Sequence, residues 1–160
     1  MFYFFTKISL FCKLYFLSLK KSLPIIPALI ILLLICSCST RKLSNEGIYK
    51  ELEPAQFENV LNQNDINIID VRTKAEYNKS HLKGAVNASF LSGIFLKLIA
   101  QYHLDTNKTT LIYCETQHRS PVAAKRLYKI GFTKIIDLKK GMVVWRKQGY
   151  PYESTLLQTE

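Results

Sequence analysis

Residues 110–121 read Thr-Leu-Ile-Tyr-Cys-Glu-Thr-Gln-His-Arg-Ser-Pro, an apolar strand that delivers Cys114 into a short loop, with a helix beginning at Ser120. A thiol ringed by backbone N–H groups at a helix N-terminus, with an arginine closing the ring, is a place where a thiolate is stabilised and an anion held beside it. Cys114 is therefore the candidate nucleophile, and Glu115, Thr116, Gln117, His118 and Arg119 are the candidate anion-binding loop. Ser120 reads as the helix N-cap, with Pro121 at the first helical position.

The other cysteines, Cys12, Cys36 and Cys38, lie near the N-terminus, so no disulfide can form within the remainder. His81, His103 and His118 are isolated in sequence, and no Cys/His spacing suits zinc, so no metal or other cofactor is expected. The formal charge is +10, yet the lysines are scattered instead of forming a stripe with interleaved aromatics. That argues against nucleic acid and for a diffuse field that draws in small anions.

Positioning Cys114 requires a sheet. Residues 48–52 alternate like an edge strand, Pro54 opens a helix through Leu61, and residues 66–71 form an apolar run ending near Asp70, as in a strand covered on both faces. A short helix over 74–79, a strand over 85–88 and an amphipathic helix over 91–101 follow. Then come a strand over 109–113, a helix over 120–130 stopped by Gly131, a strand over 134–138 and a helix over 141–148. The alternation predicts an α/β domain with a mainly parallel sheet and helices on both faces. Active sites of such sheets lie beyond the carboxyl ends of the strands, where Cys114 stands.

The N-terminus has a different composition. Leu23 to Ile35 is continuously apolar, with Lys20-Lys21 before it and Cys36-Ser37-Cys38 after it. A basic flank, a short apolar run and small residues are the three regions of a secretory signal, and the run is short for a membrane span. Ile35-Cys36-Ser37-Cys38 resembles a bacterial lipobox, which implies a leader over residues 1–38, cleavage before Cys38 and lipid on Cys38. The apolar stretch before Lys20 leaves two explanations open: a start assigned too far upstream or a long cleaved leader, or an uncleaved anchor formed by the two apolar stretches together. Residues 39–46 then form a tether and 47–155 the domain, held at the bacterial envelope and facing the periplasm or exterior.

Residues 69–87, Ile-Asp-Val-Arg-Thr-Lys-Ala-Glu-Tyr-Asn-Lys-Ser-His-Leu-Lys-Gly-Ala-Val-Asn, resemble the D-V-R-x-x-x-E-[YF]-x-x-G-H-[IL]-x-G-A-[IV]-N stretch of rhodanese-like domains, with Ser80 for a glycine. Cys114 to Ser120 resembles that family's loop, commonly C-x-T-G-x-R-S, and Lys140 to Pro151 is similar to its closing G-G-x-x-x-W-x-x-x-G-[YF]-P. The resemblance implies a rhodanese-like fold and sulfur transfer. Cys114 would take the outer sulfur of thiosulfate or of a thiol-bound persulfide and pass it to an acceptor thiol or cyanide. The six-membered ring from Cys114 to Arg119 suits a sulfur atom, whereas phosphatases of the same fold use seven.

Asp70 and Arg72 are expected to pair as structural support, Glu76 and His81 to brace the following turn, and Trp145 to fill the core. Two departures from the family pattern carry expectations of their own. Gln117 occupies a glycine position and is strained if the loop needs φ > 0 there. Glu115 puts a carboxylate beside the thiolate, which would disfavour its charge and repel dianionic thiosulfate unless a protonated His118 offsets it. Those departures, with the oxidation risk of a thiolate in an oxidising compartment, keep a second class open: a non-catalytic module that binds a partner or senses sulfide or oxidants.

Overall fold

A computed structural model describes residues 47–155. The proposed leader, Cys38 and the tether lie outside the described residues.

Five strands form one sheet in the order β1-β5-β4-β2-β3, and every pairing is parallel. They are β1 (Tyr49–Leu52), β2 (Asn67–Asp70), β3 (Val86–Asn87), β4 (Thr110–Tyr113) and β5 (Ile135–Leu138). The helices are α1 (Pro54–Leu61), α2 (Lys74–Lys79), α3 (Phe95–Gln101), α4 (Ser120–Lys129) and α5 (Gly141–Lys147). This is the α/β architecture expected from the alternation.

Side chains of β4 alternate between two cores, because successive residues of a strand point to opposite faces. Ile112, and Cys114 just beyond the strand, pack with Phe95 and Ile99 of α3 and Ala123, Ala124 and Leu127 of α4. Leu111 and Tyr113 pack on the other face with Phe57 of α1 and Met142 and Trp145 of α5. Every residue of β4 and β5 is buried. The two central strands are therefore fixed from both sides, and the loop after β4 inherits that rigidity.

The structure differs from the sequence reading in three places. The helix expected over 91–101 is broken into a 3-10 turn at Phe90–Ser92 and α3, because Gly93 takes φ +76° between them. The strand expected over 85–88 pairs only at Val86 and Asn87. Ser120 is the first residue of α4 and not its cap: Arg119 is at the N-cap and its side chain makes no capping bond.

Candidate functional site

The loop following β4 is shaped by α5. The N–H groups of Met142 and Val143, in the first turn of α5, donate to the carbonyls of Cys114 (2.9 Å) and Glu115 (3.1 Å). This approach is close enough that only glycine fits at position 141. A Cβ there would stand 2.5 Å from the Cys114 oxygen and 2.6 Å from that of Glu115, and Gly141 also has φ +68°. With those carbonyls engaged by α5, the amides of residues 115–119 have no backbone acceptor among the described residues. A run of unengaged amides ahead of a helix is an arrangement that can receive an anion.

Gln117 does adopt a left-handed conformation, φ +67°, at the position where strain was expected. Its side chain gives back part of the cost, since Oε1 accepts the Lys140 N–H at 2.7 Å. Lys140 is itself left-handed, at φ +62°, so the bond ties together two strained turns.

Cys114 lies at the floor of this loop and is fully buried. Its sulfur is not left in hydrocarbon alone, because the Ser120 hydroxyl donates to Sγ at 3.5 Å. Ser120 thus serves the thiol and not the helix end. The charged form of Arg119 is favoured first by the Glu76 carboxylate and then by the Cys114 sulfur, against the opposing effect of burial. The Arg119 guanidinium meets Glu76 side by side, Nη1 to Oε2 at 2.8 Å and Nη2 to Oε1 at 2.7 Å. Hydrogen bonds from Arg119, then from Thr73, hold the Glu76 carboxyl down at about 2 against the opposing effect of burial. Glu76 is also half of a capping box with Thr73 at the start of α2. It is a member of the loop's rim, beyond the bracing role expected of it.

The carboxylate of Glu115 is not left unbalanced beside the thiol. It takes a hydrogen bond from Arg72 Nη1 at 2.9 Å and an ion pair from Arg146 Nη2. Burial pushes its carboxyl up, but Arg146 and Arg72 outweigh that, and the net effect is downward. Arg72 in turn donates from Nε and Nη2 to Asp70, the latter at 2.7 Å, and from Nη2 to the Ser80 carbonyl. Asp70 and Arg72 are the buried structural pair expected from sequence. Burial pushes the Asp70 carboxyl up and Arg72 pulls it back only in part. A cavity of about 470 Å³ opens over these groups, lined by Arg72, Glu76, Lys79, Ser80, Glu115 and Arg146 among others.

The two remaining loop residues face solvent, with Thr116 Oγ1 and His118 Nδ1 2.9 Å apart. His81 is not at the site. Its ring stacks on Tyr77 (centroids 4.0 Å apart), Nδ1 meets the Tyr77 carbonyl at 2.9 Å, and its backbone bridges to Glu153. It braces the turn after α2, as expected. Trp145 is fully buried and donates Nε1–H to the Pro151 carbonyl at 2.9 Å.

Sequence reasoning missed Arg146 and Asp137. Arg146 carried no signal, being one basic residue in the last turn of a short helix. Asp137 did carry one: an acid between Ile135-Ile136 and Leu138 in a strand covered on both faces.

A family model for the rhodanese-like domain matches residues 53–148. Thiosulfate sulfurtransferase 16 of Arabidopsis thaliana chloroplasts is 30% identical over 92 residues, covering 52% of this chain and 76% of that protein. The adenylyltransferase and sulfurtransferase uba4 of Ogataea parapolymorpha is 26% identical over 136 residues, covering 71% of this chain and 33% of that protein. Among solved structures, the polysulfide-sulfur transferase homodimer of Wolinella succinogenes superposes with a TM-score of 0.58 at 26% identity, covering 78% of this chain and 93% of that chain. The chain spans about half or less of the length of the first curated relatives it matches.

Proposed function

The chain belongs to the rhodanese-like domain family, and from that premise we propose that residues 47–155 form a sulfurtransferase that carries sulfane sulfur as a persulfide on Cys114. The Cys114 thiolate attacks the outer sulfur of the donor, a new S–S bond forms, and the donor's own S–S bond breaks. The leaving group, sulfite from thiosulfate or a thiolate from a persulfide, departs with the electron pair. An acceptor thiolate or cyanide then attacks the outer sulfur, and the Cys114 thiolate leaves. No oxidant or cofactor enters either step.

The observation that carries this reading is the set of unengaged loop amides of residues 115–119 above a sulfur that accepts the Ser120 hydroxyl. Those amides and Arg119 would hold the negative charge of the persulfide and of the incoming donor. Since Arg72 and Arg146 balance Glu115, thiosulfate meets no bare carboxylate at the loop, and both thiosulfate and persulfide donors remain open to it. Incubating the protein with a sulfane donor should add the mass of one sulfur atom to Cys114, and Cys114→Ser should abolish it. Absence of that adduct with thiosulfate, polysulfide and a small persulfide alike sinks the proposal.

The full burial of Cys114 favours a second reading, a non-catalytic module that binds a partner or senses sulfide or oxidants through the same thiol. Repeating the mass measurement after cyanide or a second thiol is added to the loaded protein separates the two, since such a module does not pass sulfur on to either acceptor. We propose further that Cys38 carries lipid and holds the domain at the envelope, facing the periplasm or exterior. Incorporation of a palmitate analogue that survives Cys38→Ala would refute the lipid site.

A further inference from the structure

Two residues at which the chain departs from the family pattern meet on a third. Ser80 stands where that pattern has glycine, and Glu115 follows the cysteine. Both hold Arg146, whose Nη1 donates to Ser80 Oγ at 3.2 Å and whose Nη2 pairs with Glu115 Oε1. All three line the cavity of about 470 Å³ that borders the cysteine loop, with Lys79 at the end of α2 and Tyr152 beyond α5. A cavity of that size is in the range that receives small organic molecules. An inorganic donor such as thiosulfate leaves most of it unused.

The lining indicates what an organic donor would carry. Arg72 and Arg146 are engaged by Asp70 and Glu115, and Glu76 is engaged by Arg119. Lys79 and the Tyr152 hydroxyl, both exposed, have no partner among the described residues. Ser80 is only 4% exposed, and because its oxygen accepts from Arg146, its one proton remains to be donated. Three cations and two carboxylates face the cavity. Asp70 and Arg119 behind them cancel, so one positive charge is left over. An ammonium, a phenol and a buried hydroxyl with that single excess charge suit a monoanion that accepts at two oxygens, a carboxylate.

The geometry points to this cavity as the subsite for the carboxylate tail of an organic persulfide, held by Lys79, Tyr152 and Ser80 while the outer sulfur meets Cys114. This names the donor class of the proposed transfer and rests on that reading. The Cys114 thiolate attacks the outer sulfur, which keeps its proton. The carbon-bearing sulfur leaves as a thiolate with the electron pair of the broken S–S bond.

The test compares the persulfides of 3-mercaptopropionate and 2-mercaptoethanol, which share the reacting group and differ in the carboxylate. Sulfur loading of Cys114 is followed by mass against time. The acid should load roughly tenfold faster than the alcohol. Lys79→Met, a change at an exposed position, should cut that ratio by about threefold, the scale of one exposed ion pair, and Lys79→Arg should restore it. Tyr152→Phe should lower it less. A ratio near one, or one that Lys79→Met leaves unchanged, overturns the subsite. Binding is read separately by calorimetry on Cys114→Ser with the unreactive S-methyl thioethers of the same two thiols. If the acid binds more tightly and Lys79→Met removes the preference, yet no donor ever loads sulfur, the transfer reaction is refuted and the subsite stands. If both donors load sulfur without regard to the carboxylate, the transfer stands and the subsite is refuted. Neither loading nor a carboxylate preference in binding refutes both.

Discussion

On the open side of the cysteine loop the carboxylates are held by guanidinium groups, Glu76 by Arg119, Glu115 by Arg72 and Arg146, and Asp70 by Arg72. On the closed side Asp137 takes a hydrogen bond from the Tyr49 hydroxyl, and its strongest neighbours include Ser120 and Gln117 instead of a guanidinium. Both arrangements manage negative charge within reach of one sulfur atom, by different means. Arg72 bridges Asp70 and Glu115 although it is itself 1% exposed, whereas Arg119 and Arg146 are partly exposed; a planar guanidinium can meet two acids at once. Between β1, β4 and β5 the partner of Asp137 is a tyrosine hydroxyl instead of a guanidinium, and a buried charge without a cation beside it is costly enough that a proton is favoured as its counter-ion. The rim should therefore respond to the loss of a partner, and the floor to pH.

The largest effect is expected at the rim's anchor. Arg72→Met leaves Asp70 buried without its partner and Glu115 with one arginine instead of two, at a cost of about 3–5 kcal/mol in denaturant unfolding. A loss below about 1 kcal/mol would mean that Asp70 is protonated even in the native pair, and the contrast between rim and floor would break. Gly141→Ala should cost roughly 3 kcal/mol, through both its left-handed backbone and the collision with loop carbonyls. Gly149→Ala is the control: it shares a positive φ of +78° but meets nothing within 4 Å, so about 1 kcal/mol is expected.

At the floor the sign reverses. Because the Asp137 carboxyl is raised on folding, its stabilising contribution is whole below the unfolded value near 4 and is lost as pH climbs to about 7. Asp137→Asn should accordingly stabilise the protein by about 2 kcal/mol above neutrality and give no gain below about pH 4, as followed by melting across that range. A gain that persists in acid would point to packing instead of charge. Glu76 gives the opposite slope. Its carboxyl is depressed to about 2, so the stability it confers is present above its unfolded value and disappears as pH falls towards 2. Glu76→Gln should cost about 1–2 kcal/mol at neutrality, and the two proteins should converge in strong acid. The smallest change is expected for Gln117→Gly, where relief of left-handed strain and loss of the bond to the Lys140 amide, each worth about 1 kcal/mol, nearly cancel.

Much of this site is legible in the chain because its determinants are local. An apolar strand leading into Cys114, four residues to Arg119 and a helix at Ser120 follow from residue type and order, and so does the strain at Gln117, since a side chain replaces a glycine. Thr73 and Glu76 stand three apart, the spacing of a capping box. The partners of those residues are not legible. Nothing local says that Glu76 reaches 43 positions ahead to Arg119, that Arg146 closes on Glu115, or that Ser120 turns to sulfur instead of capping its helix. Gly93 could have been recognised as a break in the helix expected over 91–101, because its left-handed φ is a property of the residue.

Sequence by itself determined the order of strands and helices, the parallel sheet and the thiol placed beyond a strand end, since each depends on periodicity and on neighbours a few residues away. Tertiary structure alone decided which charges meet and which do not. Strand order brings Tyr49, Asp137 and Ser120, 88 residues apart at the extremes, into one enclosed space beneath the loop. Whether an acid is paired or protonated depends on what shares that space, and chain separation carries no record of it.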